Sequence, residues 1–101
     1  MKYYIWQLPV SNSRCFREVD YEEIDLSDYV FVYVYITEET EPDLERLFQI
    51  LNIEHPDDYY ARSLSVSDLI VVKEDNKEEY EYYVVDSIGF KKVNEKDNTI
   101  V

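Results

Sequence analysis

With 101 residues the chain has the size of one domain around a single hydrophobic core. Its 23 acidic against 10 basic residues give a formal charge of −13, which disfavours direct binding to nucleic acid because the dominant phosphate term would be repulsive. A lone Cys15 cannot staple its own chain, no apolar run has the length of a membrane span, and the stretch from Met1 to Trp6 lacks the apolar core of a secretion signal, so a soluble cytoplasmic protein is expected.

In chain order, the first strand is predicted at Lys2 to Leu8, where Tyr3, Ile5 and Gln7 alternate with Tyr4, Trp6 and Leu8 until Pro9 ends the run. After a loop to Ser13, that serine is a candidate cap for a short helix through Asp20 with Phe16 and Val19 as its apolar pair, although Arg14 to Ile24 reads nearly as well as irregular strand. Tyr29 to Ile36 is the most β-prone run of the chain and is expected to be a central strand. Thr40 is placed to cap a helix, with Pro42 in its first turn and Asp43 three residues on. Leu44, Leu47, Phe48 and Leu51 then form one core-facing stripe that Asn52 closes, and Pro56 opens a turn through Tyr60.

The organising stretch is Leu64 to Val93. Leu69 to Val72 is apolar on both faces and so predicted central, Asp75 and Asn76 suit the tip of a hairpin bend, and Tyr80 to Val93 alternates with period two, giving one wetter side. Gly89 permits a turn or bulge that re-aims Phe90. Residues 94–101 read as a loose polar tail, though Thr99 to Val101 has the composition to pair at an edge. Four strands with one or two helices predict a single α+β domain, a mixed or antiparallel sheet with its helices on one face.

Catalytic groupings are sparse. A single glycine excludes the phosphate-cradling loops that need several. One cysteine and one histidine cannot fill a zinc site without several carboxylates, and the acids lack the glycine-punctuated spacing of a calcium loop. Cys15 with His55 is a conceivable thiolate pair, but a partly buried cysteine and a loop histidine account for both; Asp86 with Ser87 reads better as a brace for the Gly89 turn than as a catalytic pair. The expectation is a protein that is not an enzyme and uses no cofactor or metal.

The words LERLFQILNIEHPDDYYARSLSVSD, SLSVSDLIVV and YYVVDSIGFKKV, which follow one another over about residues 44–93, resemble the YodL-like domain. The resemblance implies a small bacterial module often carried by mobile elements, and no settled biochemical activity.

The charge is unevenly placed. Between Arg17 and Arg46 there is no Lys or Arg but 11 acids, from Glu18 to Glu45. A solvated acidic face accounts for such a run; a surface that meets a basic partner accounts for it too, since clustered like charges repel and a cationic surface relieves them. The 11 tyrosines fit a tyrosine-rich sheet, and those beside carboxylates also suit docking on arginine- and lysine-rich protein. The candidate partner-binding residues are therefore Glu38, Glu39, Glu41 and Asp43 at the helix start, Asp57, Asp58, Tyr59 and Tyr60, and Glu74, Asp75, Glu78, Glu79 and Glu81 around the hairpin bend. These point to an acidic inhibitor of a larger basic protein, a Cas nuclease or another nucleic-acid-handling defence protein, acting as an anti-CRISPR or antirestriction protein that occludes it in the manner of a DNA mimic. The alternative is a regulatory interaction module on a host cytoskeletal or metabolic protein, using the aromatic edge of the sheet.

Overall fold

The computed structural model describes residues 1–96. In chain order the elements are β1 (Lys2–Gln7), β2 (Glu23–Ile24), β3 (Val30–Ile36), α1 (Leu44–Gln49), β4 (Leu69–Lys73), β5 (Glu81–Asp86) and β6 (Gly89–Glu95). They form one mixed sheet of order β2-β6-β5-β4-β1-β3, in which β2 and β6 run parallel and the other neighbours antiparallel. The α+β class and the helix on one face agree with expectation, with six strands in place of four.

Strand alternation sorts the core into two layers. On the helix face Tyr3, Ile5, Ile70, Val72 and Val85 pack with Leu47 and Leu51 of the helical segment and with Met1, Tyr59 and Leu64. Burying each large aliphatic side chain here contributes about 1.5–3 kcal/mol. On the opposite face Leu69, Val71, Val84 and Val93 are covered by Leu8, Val19, Ile24 and Tyr29, supplied by the irregular segment that follows β1. Leu69 to Val72 is buried throughout because both layers use it.

Several expectations are corrected. Tyr29 to Ile36 yields an edge strand, since β3 pairs with β1 alone and every residue of it is at least partly exposed. Propensity reports how well side chains suit a pleated surface, and says nothing about having a neighbour on both sides. Ser13 to Arg17 forms successive turns and Glu18 to Asp20 irregular chain, rather than a helix. Of its two apolar residues Val19 is buried and Phe16 exposed at φ +64°, so no apolar stripe holds a helix there. The helix cap is Asp43, whose carboxylate accepts from the Arg46 amide at 3.0 Å, and not Thr40. Asn52 does not end the helical segment, which continues as a π-helical turn (Ile50–Glu54) to His55 at φ +49°. Instead the Asn52 amide clamps the backbone of Leu64, donating to its carbonyl at 2.9 Å and accepting from its N–H at 2.7 Å.

Asp75 and Asn76 stand at the hairpin bend, closed by the Lys77 amide on the Glu74 carbonyl. Tyr80 to Val93 divides into β5 and β6 around Ser87 and Ile88, with Gly89 at φ +146° where a side chain would be strained. Asn94 and Glu95 are strand rather than tail, because they pair with β2. The expected pairing of Thr99 to Val101 lies outside the described residues.

A buried polar cluster ties the irregular segments to the sheet. Asp68, 0% exposed, accepts from the Ser65 amide (2.9 Å), Gln7 Nε2 (3.1 Å) and Arg62 Nη2 (3.4 Å). Arg62 also reaches the Leu8 carbonyl at 2.8 Å, and Ser67 Oγ accepts from the Phe16 amide at 3.0 Å. Burial outweighs these donors and pushes the Asp68 carboxyl up from 3.8 to about 6. With the folded value above the unfolded one, this group's contribution to stability is complete below about pH 4 and is lost as pH rises through about 6. Urea unfolding of the wild type and Asp68→Asn across this range should show the wild type losing on the order of 3 kcal/mol relative to the variant, which has no proton to release. A difference between the two that stays constant with pH would contradict this.

Candidate partner-binding surface

The sheet decides which acidic segments meet. Lys2 lies opposite both Ile36 and Lys73, and Val72 opposite Glu81, so the end of β3, the start of β1, the end of β4 and the start of β5 share one end of the sheet. The two acidic stretches leave from there. Glu41 and Pro42 before α1 meet Glu74, Lys77, Glu81 and Tyr83 of the hairpin around an open depression of ≈ 430 Å³. Residues more than thirty positions apart thereby form one acidic end.

Its carboxylates have different work. Glu74 is buried and pairs with Lys77 at 3.0 Å, and this contact raises the Lys77 pKa. Glu81 accepts from Lys92 at 2.9 Å and from the Tyr83 hydroxyl at 3.2 Å; the Lys92 hydrogen bond chiefly holds its carboxyl below the usual range. Asp75 pairs with the N-terminal ammonium of Met1 at 3.0 Å, and that same contact lowers its pKa. Asp43 caps α1, while its own N–H donates to the Tyr3 hydroxyl at 2.9 Å. These four brace the end internally. Glu38, Glu39, Glu41, Glu78 and Glu79 are exposed and, among the described residues, form no ion pair. They are the carboxylates left to meet a cation.

The Asp57 to Tyr60 group lies elsewhere, on the helix face against the middle of β3. Asp58 accepts from the Tyr33 hydroxyl at 2.7 Å, and the Tyr33 pKa is pushed up to about 12, by burial first and then by that carboxylate. Tyr59 is a core residue, stacked edge-on against Tyr33, with its hydroxyl donating to the Arg62 carbonyl at 2.6 Å. It has little surface to offer. Asp57 and Tyr60 are exposed.

Sequence reasoning did not single out the aromatic patch on the face opposite the helix. Trp6 and Phe31 meet edge-on with ring centres 5.3 Å apart, and Tyr4 lies 6.3 Å from both Phe31 and Tyr80. Phe31 and Tyr80 are exposed. The signal was available in part, since the alternation in β1 puts Tyr4 and Trp6 on one face.

Candidate chemistry is not assembled. Cys15 Sγ lies 3.6 Å from Arg62 Nη2, while His55 sits beside Tyr59. Asp86 accepts from the Ser87 amide at 2.8 Å, bracing the turn before Gly89. Among the described residues no group of three or more His, Cys, Asp or Glu is arranged to hold a metal ion, and no helix is long and apolar enough to cross a membrane.

The model of the YodL-like domain matches residues 2–95, and the chain belongs to that family. The match takes in all six strands and the helix, well beyond the stretch that carries the resemblance in the sequence. Comparison with curated proteins and with solved structures finds no match.

The acidic end holds its shape through the Asp43 cap, so thermal or urea unfolding should show Asp43→Ala costing about 1 kcal/mol. Thr40→Ala should cost nothing measurable. The reverse ranking would return the cap to Thr40.

Proposed function

We propose that the chain is a non-enzymatic inhibitor that docks its acidic end on the basic, nucleic-acid-binding surface of a defence nuclease, as an anti-CRISPR or antirestriction protein would. One observation carries the reading: the two acidic segments converge at one end of the sheet, with five exposed glutamates unpaired beside carboxylates already neutralised from within. Each opposite charge brought within 4 Å contributes about 1 kcal/mol in water, and about 4 where the local dielectric falls to roughly 20. The internal pairs let the surface approach a cationic groove without further crowding of charge. Carboxylates then stand where phosphates would, and bulk excludes the nucleic acid.

The test uses purified nuclease complexes, with DNA binding and cleavage as readouts. The variant carrying lysine at positions 38, 39, 41, 78 and 79 should fold as the wild type does and inhibit at least about 100-fold less. Wild-type affinity should fall steeply as salt rises from about 0.1 to 1 M, where the screening length shortens from about 10 to 3 Å. A full set of defence nucleases with no detectable binding at low salt would end this reading.

The aromatic patch in which exposed Phe31 and Tyr80 flank half-buried Tyr4 and Trp6 favours a second reading, a regulatory module on a cytoskeletal or metabolic protein. Its mark would be binding that survives charge reversal and is lost in Phe31→Ser with Tyr80→Ser.

A further inference from the structure

We infer that the free edge of β3 seats an extended segment of the partner, an apolar β-prone run flanked by Lys or Arg, which joins the sheet as a further strand. The inference rests on the reading of a basic partner and adds where its chain lies.

The two edges of the sheet differ. β2 is two residues long and pairs in parallel with β6, too short to template another chain. β3 is seven residues long, and among the described residues no backbone hydrogen bond other than those to β1 engages Val30–Ile36. Open edges are usually guarded by Lys, Pro, inward charges or bulges. The run Val30–Ile36 contains no charge and no proline, and Val30, Phe31 and Ile36 are 53%, 46% and 66% exposed. It has one guard, a shift of register between Ile5 and Trp6 that leaves Val32 without a partner of its own. From Tyr33 to Ile36 the pairing is regular, so this stretch presents an undistorted edge leading to the acidic end.

Charge selects the occupant. Asp25 and Asp28 precede the strand, and Glu38, Glu39 and Glu41 follow it. In a second copy paired about a two-fold at Tyr33, Val30 would oppose Ile36, and Asp28 would oppose Glu38 at both ends. Shifting by one residue sets Asp28 against Glu39. Like charges in register destabilise a strand pair, and each copy carries −13. A strand with cations at its ends meets the apolar run with its core and the acids with its flanks, the side-chain pattern of strand addition.

Three synthetic peptides of equal length test this at low salt: an alternating valine–threonine core flanked by two lysines at each end, the same peptide with prolines replacing alternate core residues, and the same core flanked by glutamates. Affinity and amide exchange of the full chain are the readouts. The lysine-flanked peptide should bind at least tenfold tighter than the other two and slow exchange in Val30–Ile36. Equal affinity for the proline peptide would overturn the inference, since charge alone would then account for binding; nuclease inhibition that remains sensitive to the glutamate-to-lysine changes would leave the basic-partner reading standing. Equal binding of the glutamate-flanked peptide, absence of any binding, or exchange protection of β3 by a dimer of the chain in sedimentation would overturn it too.

Discussion

The arrangement depends on β1 lying between β3 and β4, antiparallel to both. A strand at the start of the chain joins one from the first half to one from the second, and the direction of the three fixes which loops share an end. With Lys2 opposite Ile36 and Lys73, the acidic segments after β3 and β4 must emerge together. The N-terminal ammonium closes the junction, donating to the Thr37 carbonyl at 2.9 Å and to Asp75 at 3.0 Å. A cation at that point offsets part of the repulsion that the convergence creates.

Repulsion is the standing cost of this design. Lys77 and Lys92 sit within the cluster of glutamates, and Glu74 is buried against Lys77 rather than left in solvent. Both lysines are exposed to solvent, and pairs screened in this way contribute about 0–1 kcal/mol, so their value lies in placing charge rather than in holding the fold. The fold is held by the two apolar layers, while the Asp68 carboxylate, which costs stability once ionised, positions β1, through Gln7, against Arg62 and the turn before β4. Stability and surface charge are thus carried by different residues, which leaves the exposed glutamates free to vary or to bind.

What could be read from sequence followed local physics. Leu69 to Val72 announces a buried strand because both alternating faces are apolar, and Leu44, Leu47, Phe48 and Leu51 announce a helix because they recur at its period. Asp75 and Asn76 mark the bend through their tolerance of turn geometry. Features set by distant partners were not legible. Tyr29 to Ile36 looks central because its residues are β-prone, yet nothing in those residues says that only one side is paired. Ser67 adopts φ +85° and Phe16 φ +64°, unusual for either residue, where the two segments meet. Tyr59 reads as a surface ring beside acids and is in fact core, because the turn after the helical segment folds it under β3. The acidic candidates were legible as residues, whereas their division into braced and unpaired carboxylates depends in part on Lys92 and the Met1 ammonium, which only the folded sheet brings near.

Zero-length carboxylate-to-amine coupling of the full chain in bacterial lysate, read by mass spectrometry at low and at high salt, tests the central claim most directly. The account predicts salt-sensitive cross-links from Glu38, Glu39, Glu41, Glu78 and Glu79 together to lysines that line a nucleic-acid-binding groove. A partner held equally at both salt concentrations, through the face of Tyr4, Phe31 and Tyr80 and without those five glutamates, would contradict it.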